Sequence, residues 1–245
     1  MLSIIKTRAI VLKSIDYKER DKIITVFSES LGKISIMVRG VKSSKSKMLP
    51  LTLPMSYSEL VLFKGKGMYT LNEGFLIDSF QEMLKDIYTL TYGNYILELI
   101  DMSMVDDEVN TELFKSVIVS FYFLKNKAVS DKIVIRKFEL DLLKYTGHSL
   151  NFENCGVCRR KIISSNYVIY PPFSGVCGNC NKKNGIDIAY SVFSFMKYLY
   201  HIDIMKLHIL KENESIISEI EKINSELIVT SIGKRPKSLE LLEIL

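Results

Sequence analysis

All four cysteines of the chain lie in two pairs of equal spacing, "NCGVC" at 154–158 and "VCGNC" at 176–180. Cys155, Cys158, Cys177 and Cys180 thus form C-x2-C-x18-C-x2-C, a spacing that suits a tetrahedral zinc site. Each pair fits a tight turn whose backbone N–H groups point at the thiolates, and Gly156 and Gly178, at matching places, are expected to ease those turns. Two such turns brought together fill all four positions of the metal and leave none for water or substrate, which argues for structure over catalysis. The competing readings are two disulfides and an iron–sulfur cluster or redox pair. A loop of this kind has little core of its own, and structural zinc supplies on the order of 10 kcal/mol of apparent binding energy. Arg159, Arg160, Lys161, Lys182 and Lys183 lie close enough in sequence to offset the formal −2 of a four-thiolate zinc site; a nucleic-acid patch is the other reading of these cations.

The compartment decides between metal and disulfide. The N-terminus "MLSIIKTRAIVLKSI" carries Lys6 and Arg8 within its apolar stretch and has no small-residue cleavage site, so it does not read as a secretory signal. No apolar run reaches the roughly 18–20 residues of a membrane span. A cytoplasmic chain is the expectation, and thiols there stay reduced.

At 245 residues the chain exceeds one average domain. Residues 1–80 read as five strands: "IKTRAIVLKSI", "DKIITVFSE", "KISIMVRGV", "SYSELVLF" and "MYTLNEGFLI", parted by turn-rich pieces. Closure removes exposed edges, so a five-stranded Greek-key barrel of the OB type is the economical fold, with an SH3-like barrel as the alternative. Beyond residue 80 the apolar period changes to three or four. "FQEMLKDIYTLTYGNYILELIDMSM" reads as a helix or broken pair with Gly93 as its weak point. "NTELFKSVIVSFYFLKNK" and "SDKIVIRKFELDLLKYTG" read as capped helices, and "YSVFSFMKYLYHIDIMKL" and "NESIISEIEKINSELIVTSI" as at least two more. The expected fold is α+β multidomain: an N-terminal OB-fold barrel at 1–80, then an all-helical domain at 81–245 with an embedded four-cysteine zinc loop at about 151–185. The join is short, so the two parts are expected to pack together.

The net charge of +5 is unevenly spread. Residues 1–80 hold 13 Lys and Arg against 7 acids, whereas 81–150 hold 8 against 11. A basic first third suits a polyanion, although lysine-rich solubilising surfaces also give such a surplus. Within "KISIMVRGVKSSKSKML", Lys33, Arg39, Lys42, Lys45 and Lys47 fall on or beside a Gly- and Ser-containing loop able to follow a phosphate backbone without reading bases. Five phosphate contacts would give a salt slope of about −3.5 to −4.5; the competing reading is a solvated loop. Lys13, Lys18, Arg20 and Lys22 are placed to extend the patch. Of Tyr17, Phe27, Tyr57, Phe63, Tyr69 and Phe75, most are expected to fill the barrel, with one or two left exposed for stacking. His201 and His208, seven apart, are expected on one helical face, packed rather than binding metal. No P-loop, GxGxxG or catalytic constellation is present, and "DDE" at 106–108 reads as a charged loop before a helix.

The order of these features resembles the bacterial RecO family of recombination mediators. The likeness spans nearly the whole chain and is most specific in "YKERDKIITVFS", the following "GK" and "RGVK", and the later "GVCGNC". It implies an N-terminal OB-fold, a helical domain with a zinc loop, and binding to single- and double-stranded DNA. It also implies strand annealing, and recombinase loading with RecR onto DNA covered by single-strand-binding protein, whose C-terminal tail is a further expected partner. No enzymatic activity is expected. By this resemblance the cysteines align with the family's metal ligands and the basic residues of "GKISIMVRGVKSSKSK" with its DNA-facing segment; no motif identifies the tail pocket. Two other readings stay open on the residues: a zinc-ribbon, OB-fold RNA-binding translation or transcription factor, and a nuclease using acids such as Asp106 and Asp107.

Overall fold

The alternating segments of the first third become five strands that close on one another. The computed structural model describes residues 3–43, 46–65, 67–148, 150–170 and 173–244. β1 (Ser3–Tyr17), β2 (Asp21–Ser28), β3 (Gly32–Val38), β4 (Tyr57–Lys64) and β5 (Tyr69–Asp78) form a barrel in the order β1-β2-β3-β5-β4, with β4 returning to β1. The β3–β5 pair is parallel and the other four are antiparallel, which is the OB-fold arrangement and sets the SH3-like alternative aside. A bulge in β1 between Val11 and Lys13 lets Ile10, Val11 and Leu12 all be buried, against strict alternation.

The barrel interior is aliphatic. Ala9, Val11, Ile24, Val26, Ile34, Ile36, Val38, Leu60, Leu62 and Leu71 fill it, and Tyr69 is the aromatic that joins them. The expectation that most barrel aromatics point inward is therefore wrong. Phe27 and Tyr57 lie on the opposite face of their strands and pack on Phe114, with ring centroids 5.7 and 6.3 Å away. Phe63 is half-buried, while Tyr17 and Phe75 are exposed, Phe75 at 71%. The physical reason is that a helix covers the outer wall and offers large side chains a second apolar surface.

That helix is α2 (Thr111–Asn126), whose first turn is capped by Asn110 Oδ1 accepting from Leu113 N at 3.0 Å, as its sequence predicts. α1 (Ile87–Ser103) begins after Asp86, whose carboxylate accepts from Tyr88 N and Thr89 N, so of the two readings, a helix or a broken pair, the segment takes the second, as a short 3-10 turn and α1 divided at Asp86. Gly93 is no break. It sits inside α1, where a Cβ would lie 2.8 Å from Met83 Cε and 3.1 Å from Met55 Cε. α6 (Lys237–Ile244), which the sequence reading did not single out, packs on α1, and Glu98 of α1 accepts from Lys237 N and Ser238 N, both at 2.9 Å. The loop after α1 lies along the start of β3: Asp107 N donates to Lys33 O at 2.9 Å, and a Cβ on Gly32 would lie 2.1 Å from Glu108 O.

Two compact units result, Met1–Lys125 with Lys237–Leu245, and Asn126–Pro236. The barrel segment 1–80 thus shares its unit with α1, α2 and α6. In the second unit, α3 (Asp131–Tyr145), α4 (Tyr190–His201) and α5 (Glu214–Ile232) pack together beside a small sheet, β7-β6-β8, of Tyr167–Ile169 (β6), Ser174–Gly175 (β7) and Gly185–Asp187 (β8). α4 stops at His201, and Asp203 caps a separate 3-10 turn at Ile204–Ile209. His201 and His208 therefore share no helical face, which corrects the expectation from the sequence. Asp203 is the reason: its side chain accepts from Met205 N at 2.9 Å and starts a new turn.

Candidate metal centre and nucleic-acid interface

In the second unit the two cysteine pairs meet. The four Sγ atoms lie within 4.8 Å of one another. A tetrahedral zinc with Zn–S bonds of about 2.3 Å requires sulfurs about 3.8 Å apart, and Cys158 and Cys177 are 3.7 Å apart. A disulfide needs about 2.05 Å, and all four cysteines are free. The donor set fits a single ion of zinc type.

The backbone positions the sulfurs. Around the first pair, Cys155 N donates to Arg160 O at 2.8 Å and Arg159 N to Cys155 O at 2.9 Å, a turn completed by Arg159 in the left-handed region (φ 64°). Around the second, Cys180 N donates to Cys177 O at 3.1 Å. The two glycines are not equivalent, as their spacing suggested. A Cβ on Gly156 would lie 2.4 Å from Ile169 Cδ1, so a side chain there would make Ile169 of β6 shift, whereas Gly178 faces open space. Below the loop, Phe152 meets Phe173, Phe193 and Tyr200 at 5.2, 5.5 and 5.2 Å, and Phe173 is buried as expected. Pro171 and Pro172, read as fixing a turn, lie outside the described residues.

Thiol acidity follows the geometry. Burial opposes the Cys155 thiolate, yet N–H groups of Cys158, Cys177 and Val157 together bring it down to about 6. The Arg160 N–H lowers Cys158, and the Arg160 guanidinium is itself held protonated more firmly by its bond to that sulfur. Hydrogen bonds to Cys158 and Cys177 and some burial push Cys180 up to about 12, the expected fate of the last thiol to ionise in a crowded set. Of the five nearby cations, Arg160 is the one that reaches a sulfur; Lys182 turns to Asp187 at 3.2 Å.

In the first unit the basic residues separate into two groups. Lys33 is drawn to the end of α1, donating to Asp101 O at 2.9 Å and pairing with Asp106 at 3.4 Å, with its side chain 14% exposed. Lys13 also pairs with Asp101. The second group gathers where the β1–β2 turn meets the loop after β3. Lys42 N donates to Arg20 O at 3.1 Å and Gly40 N to Asp21 Oδ1 at 2.8 Å, fastening one loop to the other. Lys18, Arg20, Arg39 and Lys42 are exposed there, with Lys18 Nζ 5.4 Å from the centre of the exposed Tyr17 ring. Lys47 is exposed further along the loop, and Lys45 lies outside the described residues. Asp16 was not singled out from sequence, although it opens the sign-alternating run "DYKERDK"; it pairs with Lys22 at 3.0 Å and with Lys42 at 2.7 Å. Hydrogen bonds from Lys42 and Lys22 hold its carboxyl below the usual range.

Two protein families match this architecture segment by segment. Residues 1–80 match the family described as Recombination protein O N terminal, and residues 84–240 match Recombination protein O C terminal. The chain is 43% identical over 244 residues to a DNA repair protein RecO of Clostridium acetobutylicum, covering 100% of this chain and 99% of that protein. It is 40% identical over 244 residues to one from Clostridium perfringens, covering 100% and 99%. A protein of the same name from Acetivibrio thermocellus is 28% identical over 246 residues, covering 100% and 98%. With an OB-fold barrel, a helical second part, a converging four-cysteine cluster and full-length likeness to these proteins, the chain belongs to the RecO family of DNA repair and recombination proteins.

Proposed function

We propose that this chain is a non-enzymatic mediator that binds single- and double-stranded DNA, anneals strands and works with RecR to load recombinase onto DNA covered by single-strand-binding protein. In this reading residues 1–80 are the DNA-binding domain and 81–245 the helical domain. One zinc ion is held by Cys155, Cys158, Cys177 and Cys180 as a structural clip, supported by sulfur spacing close to that of tetrahedral zinc. The ion would neutralise crowded thiolates; the chain's own part is to aim the sulfurs and to balance charge through Arg160. The protein acts in the cytoplasm; among the described residues no helix is long and apolar enough to cross a membrane.

The observation that carries the DNA-binding reading is the exposed basic group at one place on the barrel, Lys18, Arg20, Arg39 and Lys42, with Lys47 on the same loop. Lys33 remains in the proposed DNA-binding set, half-buried and with its charge partly met by Asp106 at 3.4 Å. Contacts of this kind bind phosphate with little base preference. The test is a fluorescence-anisotropy salt titration of Arg39→Glu/Lys47→Glu. Two lost phosphate contacts should flatten the single-strand salt slope by about 1.4. Unchanged affinity and slope would refute this face. Matched RNA and DNA oligonucleotides in competition test the RNA-binding alternative, which predicts RNA preference. For the partner, pull-down of single-strand-binding protein should fail once its last residues are removed.

A further inference from the structure

The most charged part of the proposed interface contains a carboxylate that works against it. Asp16 stands in the last turn-proximal stretch of β1, directly opposite Lys22 of β2 in the strand register. Each of its oxygens is used: Oδ1 lies 3.0 Å from Lys22 Nζ and Oδ2 lies 2.7 Å from Lys42 Nζ. The Lys22 and Lys42 side chains are 18% and 34% exposed, while that of Asp16 is 56% exposed. Lys18, Arg20 and Arg39 beside them carry no ion pair among the described residues. The low carboxyl pKa of Asp16 keeps the negative charge in place throughout the neutral range.

We propose that Asp16 is an internal counter-ion that attenuates nucleic-acid binding, competing with backbone phosphate for Lys22 and Lys42. The inference rests on the reading of this barrel surface as the nucleic-acid interface. Its physical basis is that counterion release, and hence salt slope, follows the net charge a protein brings to the phosphates. One fixed carboxylate among the cations cancels about one phosphate contact and repels the incoming backbone. An exposed pair of this kind is weak, so phosphate can displace it, and Asp16 tunes affinity without closing the site. A surface that withholds one of its own charges releases strands faster.

The experiment is a double-mutant cycle on the full-length protein, using Asp16→Asn, Lys42→Gln and the combination, with a fluorescein-labelled oligothymidylate as probe across a salt series. Asp16→Asn is expected to tighten binding roughly two- to fivefold and to steepen the slope by about 0.7. Much of that gain should vanish in the Lys42→Gln background. Glu73→Gln on β5, an exposed acid of the same barrel, makes the same change in net charge and should move affinity less than twofold. Thermal melting of each variant separates loss of fold from loss of charge. Weaker or unchanged binding by Asp16→Asn, with Arg39→Glu/Lys47→Glu still impaired, would overturn the attenuator role and leave the interface standing. Equal tightening by Asp16→Asn and Glu73→Gln would also overturn it, as a general charge effect. Indifference of binding to Arg39→Glu/Lys47→Glu would instead overturn the reading on which it rests.

Discussion

A single sulfur is enough to test the clip. Cys177→Ser removes one of four donors, and the variant is expected to lose most bound metal and several degrees of melting temperature, measured by elemental analysis and calorimetry, with DNA affinity falling only as folded protein is lost. Acid tests the same centre with a defined sign. Cys155 ionises in the fold at about 6 against an ordinary 9.0, so in metal-free protein its contribution to stability is present above about 9 and is lost as pH falls through about 6. Metal uptake needs all four thiolates, and chelator competition should show strong binding at pH 8 and a steep decline below 6. Glycine makes an equally local demand at position 32, where φ is +70° and a Cβ would meet the backbone of Glu108. Gly32→Ala should cost at least about 2 kcal/mol in chemical denaturation, since strain and displacement of the β3-docked loop add. The pattern "SLGK" announces a turn, but the contact with Glu108, some 76 residues on, is invisible in sequence.

Between elements, polar groups fix how helices meet. In the second unit Arg136 of α3 is buried with Glu139 at 3.1 Å, and Asn224 of α5 donates to Glu139 at 2.9 Å. Glu139→Ala would leave a buried guanidinium without its main counter-ion and should destabilise by about 3–5 kcal/mol in urea unfolding. In the first unit Glu98 anchors α6. Burial disfavours its charge, but hydrogen bonds from Ser238 and Lys237 outweigh this and hold its carboxyl below the ordinary 4.5. The anchoring is therefore complete above about pH 4.5 and is lost as pH falls through the lower folded value. Glu98→Ala should cost about 1 kcal/mol and speed amide exchange in 237–244. Strands and helices themselves were largely legible: β2 and α2 begin and end within a residue or so of where their turn and cap signals put them. The partner of α6 was not, because Glu98 and Ser238 lie far apart along the chain and nothing local pairs them.

For the whole molecule the two compact units give a regional prediction. The cysteine cluster belongs to Asn126–Pro236 and the barrel to the other unit. Metal removal should raise hydrogen exchange across 150–170 and 173–188 while leaving the barrel strands protected; loosening of β1–β5 to the same extent would contradict the clip's local role. By itself, the sequence determined the barrel, the succession of helices, the paired-cysteine set and the basic surplus of the first third. Each of these is written in short-range signals: alternation, helical period, paired cysteines at fixed spacing and local charge count. Tertiary structure alone decided which face each side chain serves. It placed Phe27 and Tyr57 against α2 rather than inside the barrel, took Lys33 and Lys13 to Asp101, and set Asp16 between Lys22 and Lys42. The reason is physical: a lysine's charge is fixed by its sequence, but whether that charge is available to a ligand depends on which carboxylate the folded chain brings within about 3 Å of it.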